Sequence, residues 1–190
     1  GFGQAWNDQI SRDWGGQAMR DLLSVTDAMQ ARSYIDKARS AAVGASFGGF
    51  SVYWLMGNAA DRFACMIGHC GVFNLDSMLL STEEQWFTNW DLGEPAWTVD
   101  SGTAAFERFS PHRYVKNWKT PLLVIHGEQD FRVPYDQGLQ AFTAAQMQGV
   151  PSRLLMFPGE GHWVLQPQNG VVWQREFFAW LDRYCALAGK

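Results

Sequence analysis

Apolar and polar positions along this chain fall into two alternating patterns. Across residues 15–32, Met19, Leu22, Leu23, Val25, Thr26 and Met29 recur at steps of three and four, with Arg20, Asp21 and Asp27 on the polar side, which predicts an amphipathic helix. Residues 41–45 are a short run of small and apolar residues. Residues 47–56 form a second apolar segment that stops at Gly57 and Asn58, so this stretch reads as strand, tight turn, helix. Further strands are predicted at 63–67, 121–127 and 153–157, and further helices at 135–148 and 171–187, the last carrying Val172, Phe177, Phe178, Trp180, Leu181 and Tyr184. The run 121–127 is too continuously apolar for a sheet wetted on one face. Strands alternating with helices imply an α/β fold, a parallel sheet flanked by helices.

Residues 74–114 break this rhythm. They are rich in tryptophan (Trp86, Trp90, Trp97) and in acidic residues, and read as an excursion over the sheet. Ligands of parallel sheets bind beyond the carboxyl ends of the strands, so such an excursion is well placed to wall a pocket. A plainer reading is a helical cap that only buries its own tryptophans.

Composition narrows the function. At 190 residues, 47% apolar and 18% charged, the chain reads as one globular domain without a linker. Fifteen Lys and Arg against nineteen Asp and Glu give a net charge of −4, so no nucleic-acid partner is expected. The longest apolar stretch, 41–56, is broken by Ser46, Gly48, Gly49 and Ser51, so no membrane partner is expected either. No secretory leader precedes Gly1, and a processed chain would have lost one. Of the three cysteines, Cys65 and Cys70 read as lying in one strand, too far apart to bridge and on opposite faces, so cysteine usage leaves the compartment open.

The sharpest chemical signal is Gly44-Ala45-Ser46-Phe47-Gly48, a G-x-S-x-G match placed between a strand and a helix. Eleven serines and 19 glycines would give about 0.1 such matches by chance, so the setting rather than the motif carries the weight. A serine hydroxyl needs a base to take its proton, and the base needs an acid to fix its tautomer. Asp130 lies in the loop after strand 121–127 and His162 in the loop after strand 153–157, giving the order Ser, acid, His at successive strand ends. Among the other histidines, His126 closes a strand and reads as a satisfied buried residue, His69 lies near another strand end, and His112 sits in an irregular loop. Glu128, Asp136 and Glu160 are the rival acids, and Asp130 competes with a plain turn role. The backbone N–H of Phe47 supplies one oxyanion donor. No metal or nucleotide motif is present, and no cofactor is expected.

These residues resemble the catalytic domain of the prolyl oligopeptidase family of serine peptidases. Gly1-Phe2-Gly3 is similar to the end of that family's fourth strand, and Asp13-Trp14-Gly15-Gly16 with Asp21 is similar to its D-W-G segment. Gly44 to Phe50 match its serine elbow; His126-Gly127 with Asp130 and Val133-Pro134 match H-G-x-x-D-x-x-V-P; Glu160-Gly161-His162 match its histidine motif. Ser81 to Glu84, Trp86-Phe87 and Trp90 to Gly93 look most like the acylaminoacyl-peptidase and dipeptidyl-peptidase 5 branch.

The resemblance implies an α/β-hydrolase fold and cleavage of short peptides through an acyl-enzyme. It also implies that 1–190 is the C-terminal part of one catalytic domain, incomplete at its N-terminal side, whose first strands and β-propeller, with the second oxyanion donor, lie outside this chain. That missing part is then an expected partner, and exposed sheet edges leave room for a homo-oligomer. By position in the family, Val72, Trp86 and Val133 would line the pocket for the residue before the scissile bond, favouring a small or apolar side chain. The dipeptidyl-peptidase branch leans towards a periplasmic or secreted location. A carboxylesterase on the same triad and a non-catalytic fragment needing its other half are the competing readings.

Overall fold

The two central strands are buried on both faces, with helices on either side of the sheet. In the computed structural model, which describes residues 2–93, 97–98 and 105–186, β1 (Ala41–Ala45), β2 (Cys65–His69), β3 (Leu122–Gly127) and β4 (Ser152–Phe157) run parallel in the order β1-β2-β3-β4. Ile67 pairs with Val43 on one side and Leu123 on the other, and Leu123 pairs in turn with Arg153. Because side chains alternate between faces, Met66, Leu122 and Val124 meet Val52, Tyr53 and Met56 of α3 (Phe47–Asn58) and Ala141 and Ala145 of α7 (Asp136–Met147). The intervening residues Cys65, Ile67, Leu123 and Ile125 meet Trp173, Phe177, Trp180 and Leu181 of α8 (Pro167–Cys185). Every residue of β3 is buried, which is the physical reason that 121–127 reads as unbroken apolar sequence. Each of its fully buried aliphatic side chains contributes about 1.5–3 kcal/mol.

The excursion folds as α4 (Leu75–Ser81), α5 (Gln85–Leu92) and α6 (Ala105–Phe109), followed by a 3₁₀ segment at Pro111–Asn117. Asn74 caps α4, its side-chain oxygen accepting from the amides of Asp76 and Ser77. Leu75, Met78, Leu92, Phe106 and Phe109 pack with Trp14 and Phe50 into a cluster closed by Val72 and Val133, which follow the ends of β2 and β3. The excursion thus sits over the carboxyl end of the sheet. Its tryptophans do not hold it there: Trp86, Trp90 and Trp97 are 72%, 63% and 59% exposed.

α1 (Gln4–Asp8) and α2 (Gln17–Gln30) precede the sheet. α2 buries only Met19, leaving Leu22, Val25 and Met29 exposed. Among the described residues no strand lies beyond β1, and a cavity of about 680 Å³ opens along that edge, lined by Leu22, Val25, Val43 and Phe47 among others. No helix among the described residues is long and apolar enough to cross a membrane.

Element boundaries shift by a few residues from the sequence reading, and two of the shifts, in β2 and at the start of α8, have a physical reason. β2 begins and ends two residues later than 63–67, because Gly68 and His69 pair with β1 and β3 although neither is apolar. α8 begins at Pro167 rather than at residue 171, proline being suited to a first helical turn whose N–H is unpaired anyway. Cys65 opens β2 and Cys70 lies just past its end, while Cys185 at the end of α8 brings its Sγ to 3.8 Å from that of Cys65. All three cysteines are thiols, and burial raises the Cys65 thiol well above its ordinary range.

Candidate active site

β1 delivers Ser46 directly to the start of α3. The residue has φ 58° and ψ −118°, a strained conformation for a non-glycine residue. Crowding around the turn holds it: a Cβ placed on Gly44 would lie 2.3 Å from the carbonyl oxygen of Gly48, so only glycine fits beneath the elbow. The Ser46 amide donates to the carbonyl of His69 at 3.0 Å, tying the elbow to the end of β2. Phe47 is the first residue of α3, and the leading amides of a helix have no partner inside it.

Asp130 and His162 reach the same point from the next strand ends. His162 Nε2 lies 3.0 Å from Ser46 Oγ, and His162 Nδ1 lies 2.8 Å from Asp130 Oδ2. Asp130 Oδ1 accepts from the amides of Arg132 at 3.1 Å and Val133 at 2.9 Å. Burial would raise the Asp130 carboxyl, yet hydrogen bonds from His126, His162 and the Val133 amide outweigh it and hold the group well below the usual carboxylate range. The acid is therefore ionised, and its charge favours a proton on His162 Nδ1 and a free lone pair on Nε2, aimed at the serine. This is the hydrogen-bond chain that activates a hydroxyl nucleophile.

A cavity of about 320 Å³ opens beside Ser46, walled by Ile10, Trp14, Phe47, Val72, Met78, Phe87 and Val133, with Glu84, Asp91 and Arg132 as its polar groups. Val72 and Val133, two of the three residues read from sequence as pocket wall, both line this cavity. Trp86 does not: it points to solvent, and its neighbour Phe87 lines the cavity and packs on Trp14 with ring centroids 5.6 Å apart. α5 turns Thr88 and Leu92 inward, and on a helix Trp86 lies roughly 160° round from that face, two residues away from Thr88. Trp14 was legible only as part of a motif, not as pocket wall.

The rival acids are occupied elsewhere or exposed. Glu160 accepts from the amides of Leu165 and Gln166 and from the Asn169 side chain, which lowers its carboxyl and ties the His162 loop to the start of α8. Asp136 accepts from Gln137 and Gln140, and Glu128 is exposed. Of the other histidines, His112 Nδ1 meets Ser110 Oγ at 2.7 Å, and His69 is pushed down to about 4 by burial and by repulsion from His126 and His162. Cys70, Asp130 and His162 bring donor atoms within 4.8 Å of one another, but two of these are committed to each other, and burial pushes the Cys70 thiol up to about 12.

Parallel strands, a serine elbow and an acid and a histidine on later strand ends define an α/β-hydrolase fold. A model of the prolyl oligopeptidase family matches residues 1–188, and the chain belongs to that family. It is 56% identical over 185 residues to a dipeptidyl-peptidase 5 of Porphyromonas endodontalis and 38% identical over 186 residues to one of Schizosaccharomyces pombe, in each case covering 97% of this chain. The chain spans 27% of the length of those relatives. Among solved structures, Pyrococcus horikoshii acylaminoacyl peptidase superposes with a TM-score of 0.88 at 21% identity, covering 97% of this chain and 30% of its own. A puromycin-hydrolyzing peptidase of Mycobacterium tuberculosis gives 0.89 at 24% identity, covering 98% and 28%. At such identities these structures bear on the fold.

Proposed function

We propose that this chain carries the hydrolytic centre of a serine peptidase that cleaves short peptides through an acyl-enzyme, in a dipeptidyl-peptidase register. The observation that carries the proposal is the chain Ser46 Oγ, His162, Asp130 at 3.0 and 2.8 Å. Ser46 Oγ attacks the scissile carbonyl carbon while His162 Nε2 takes the hydroxyl proton, and His162 returns that proton to the leaving amine as the C–N bond breaks. Water then attacks the ester by the same route, releasing the acyl product and restoring Ser46. Asp130 keeps its charge throughout, orienting His162 and stabilising its imidazolium. The Phe47 N–H faces the developing oxyanion, a donor worth about 3–4 kcal/mol in the transition state.

Val72, Val133 and Phe87 form the apolar wall for the side chain before the scissile bond, in place of the Val72, Trp86 and Val133 set read from sequence. The dipeptidyl register is supported by the names of the relatives at 56% and 38% identity. Their greater length and the open edge of β1 support a role as one part of a longer polypeptide.

A fluorophosphonate probe tests the centre directly. We expect one adduct, on Ser46, lost in Ser46→Ala and in His162→Ala, with turnover of dipeptidyl amides falling about a million-fold in the serine variant. An adduct on another serine, or amide hydrolysis that survives Ser46→Ala, overturns the proposal. A dipeptidyl amide left untouched while short acyl esters are hydrolysed would reassign the chain as an esterase.

A further inference from the structure

His126 closes β3 and takes no part in the proton path from Ser46 to Asp130. We infer that His126 is a positioning residue for the acid, its Nε2–H fixing Val133 and, through Val133, both the Asp130 carboxylate and one wall of the pocket beside Ser46. This rests on the hydrolase reading above.

The imidazole is fully buried, and Nε2 lies 2.8 Å from the carbonyl oxygen of Val133. A carbonyl only accepts, so Nε2 carries the hydrogen. Nδ1 has no hydrogen-bond partner among the described residues and abuts α7, where a Cβ placed on Gly138 would lie 2.6 Å away. The ring therefore offers one donor in one direction. Val133 is held from both sides, since its amide donates to Asp130 Oδ1 at 2.9 Å while its carbonyl receives His126. Its side chain, 2% exposed, lines the cavity with Ser46. The same Nε2 lies 3.5 Å from Asp130 Oδ2, the oxygen that receives His162 Nδ1 at 2.8 Å.

Asp130 thus accepts from two amides on one oxygen and from His162 on the other, with the His126 ring packed 3.5 Å from that second oxygen. Turning the carboxylate would break several of these contacts at once. A histidine kept only for packing would need no polar neighbour on Nε2. Replacing it with an apolar residue leaves the buried Val133 carbonyl without its donor, the costly case for a hydrogen bond. The titratable groups facing this pair are His69 and Cys70 from the end of β2 and His162 from the loop after β4, while α7 presents the backbone of Gly138.

The test uses the polypeptide form in which the unmodified protein is labelled at Ser46 by a fluorophosphonate. Three variants separate the roles: His126→Leu removes the donor, His126→Gln places an amide N–H near the same spot, and Gly138→Ala keeps the imidazole but displaces it. We expect His126→Leu to lower kcat by about 30- to 100-fold, because a misplacement of about 1 Å has that scale of effect. KM rises as the Val133 wall loosens. The acid limb of kcat/KM moves to higher pH, since a carboxylate that loses a nearby N–H donor yields its charge more readily.

His126→Gln restores kcat to within about threefold, the geometry of the single hydrogen bond being what matters. Alanine is intrinsically favoured over glycine inside a helix, so a folded Gly138→Ala protein with lowered kcat reports the displaced ring. The inference is overturned if His126→Leu keeps the parent kcat and acid limb while only Tm falls, or if glutamine does no better than leucine. Should His126→Leu fail to fold, an unchanged kcat and acid limb in Gly138→Ala overturns it equally. An unmodified protein that takes no label strikes down the hydrolase reading and this one with it.

Discussion

Replacing Asp130 with asparagine is expected to leave the protein folded and to lower kcat of the proposed peptidase about ten-thousand-fold. The fold survives because asparagine keeps a side-chain oxygen, which can still accept from the amides of Arg132 and Val133 and hold the loop. Activity is lost because the second atom changes from an acceptor to a donor. At 2.8 Å from His162 Nδ1 an NH2 group forces that nitrogen to accept, so the imidazole proton moves to Nε2, 3.0 Å from Ser46 Oγ. A nitrogen that carries a proton cannot take one from the serine.

The substitution also changes the response to acid. The Asp130 carboxyl is held below its ordinary 3.8 because the hydrogen bonds from His126, His162 and the Val133 amide outweigh burial, which would raise it. A depressed carboxylate contributes stability that is fully present above its ordinary value and is lost as pH falls through the lower folded value. The Tm difference between parent and Asp130→Asn therefore narrows as pH falls below about 4. Amide turnover and thermal unfolding across that range check both halves. A kcat within tenfold of the parent would move the acid role to another residue.

The triad was legible from sequence because each member is set by local structure plus one rule of the fold. Gly44 and Gly48 flank Ser46 in five consecutive residues, and the turn they permit is visible in the strand-helix pattern around it. Asp130 and His162 lie 84 and 116 residues beyond Ser46. A parallel sheet nonetheless brings all its strand ends to one edge, so order and loop position were enough. Residues whose role depends on a partner across space were not legible in this way. Trp86 and Phe87 are adjacent on an eight-residue helix, and which of them faces the cavity depends on packing against Trp14. His126 looked satisfied on its own, since nothing in H-G-x-x-D shows that the histidine reaches over the loop to Val133. Cys65 and Cys185 stand 120 residues apart and meet only because α8 covers the face of β2.

Two neighbouring glycines in the strand-end loops should respond in opposite ways to an added methyl group, and the contrast tests how the acid and histidine loops are held together. A Cβ on Gly127 would lie 2.2 Å from the carbonyl oxygen of Gly161 and 2.5 Å from that of Glu160, both backbone atoms of the His162 loop. Those loops are otherwise laced together, the amide of Gln129 donating to the Glu160 carbonyl at 2.9 Å and that of Glu128 to the Phe157 carbonyl at 3.1 Å. Gly127→Ala therefore acts as a wedge between the loop that carries Asp130 and the loop that carries His162. It should lower kcat at least about 100-fold through misplacement of roughly 1 Å, and overpacking should cost about 1–3 kcal/mol of stability. A Cβ on Gly161, by contrast, would meet only the carbonyl oxygen of Gln129, at an ordinary 3.5 Å. Gly161→Ala should then retain kcat within about threefold, small surface changes of this kind shifting stability by no more than about 0.5 kcal/mol. Amide turnover, rates of fluorophosphonate labelling at Ser46 and thermal unfolding of the two variants side by side decide the matter. If both glycines tolerate alanine equally, or both fail equally, close backbone contact at Gly127 is not what sets the distance between acid and base.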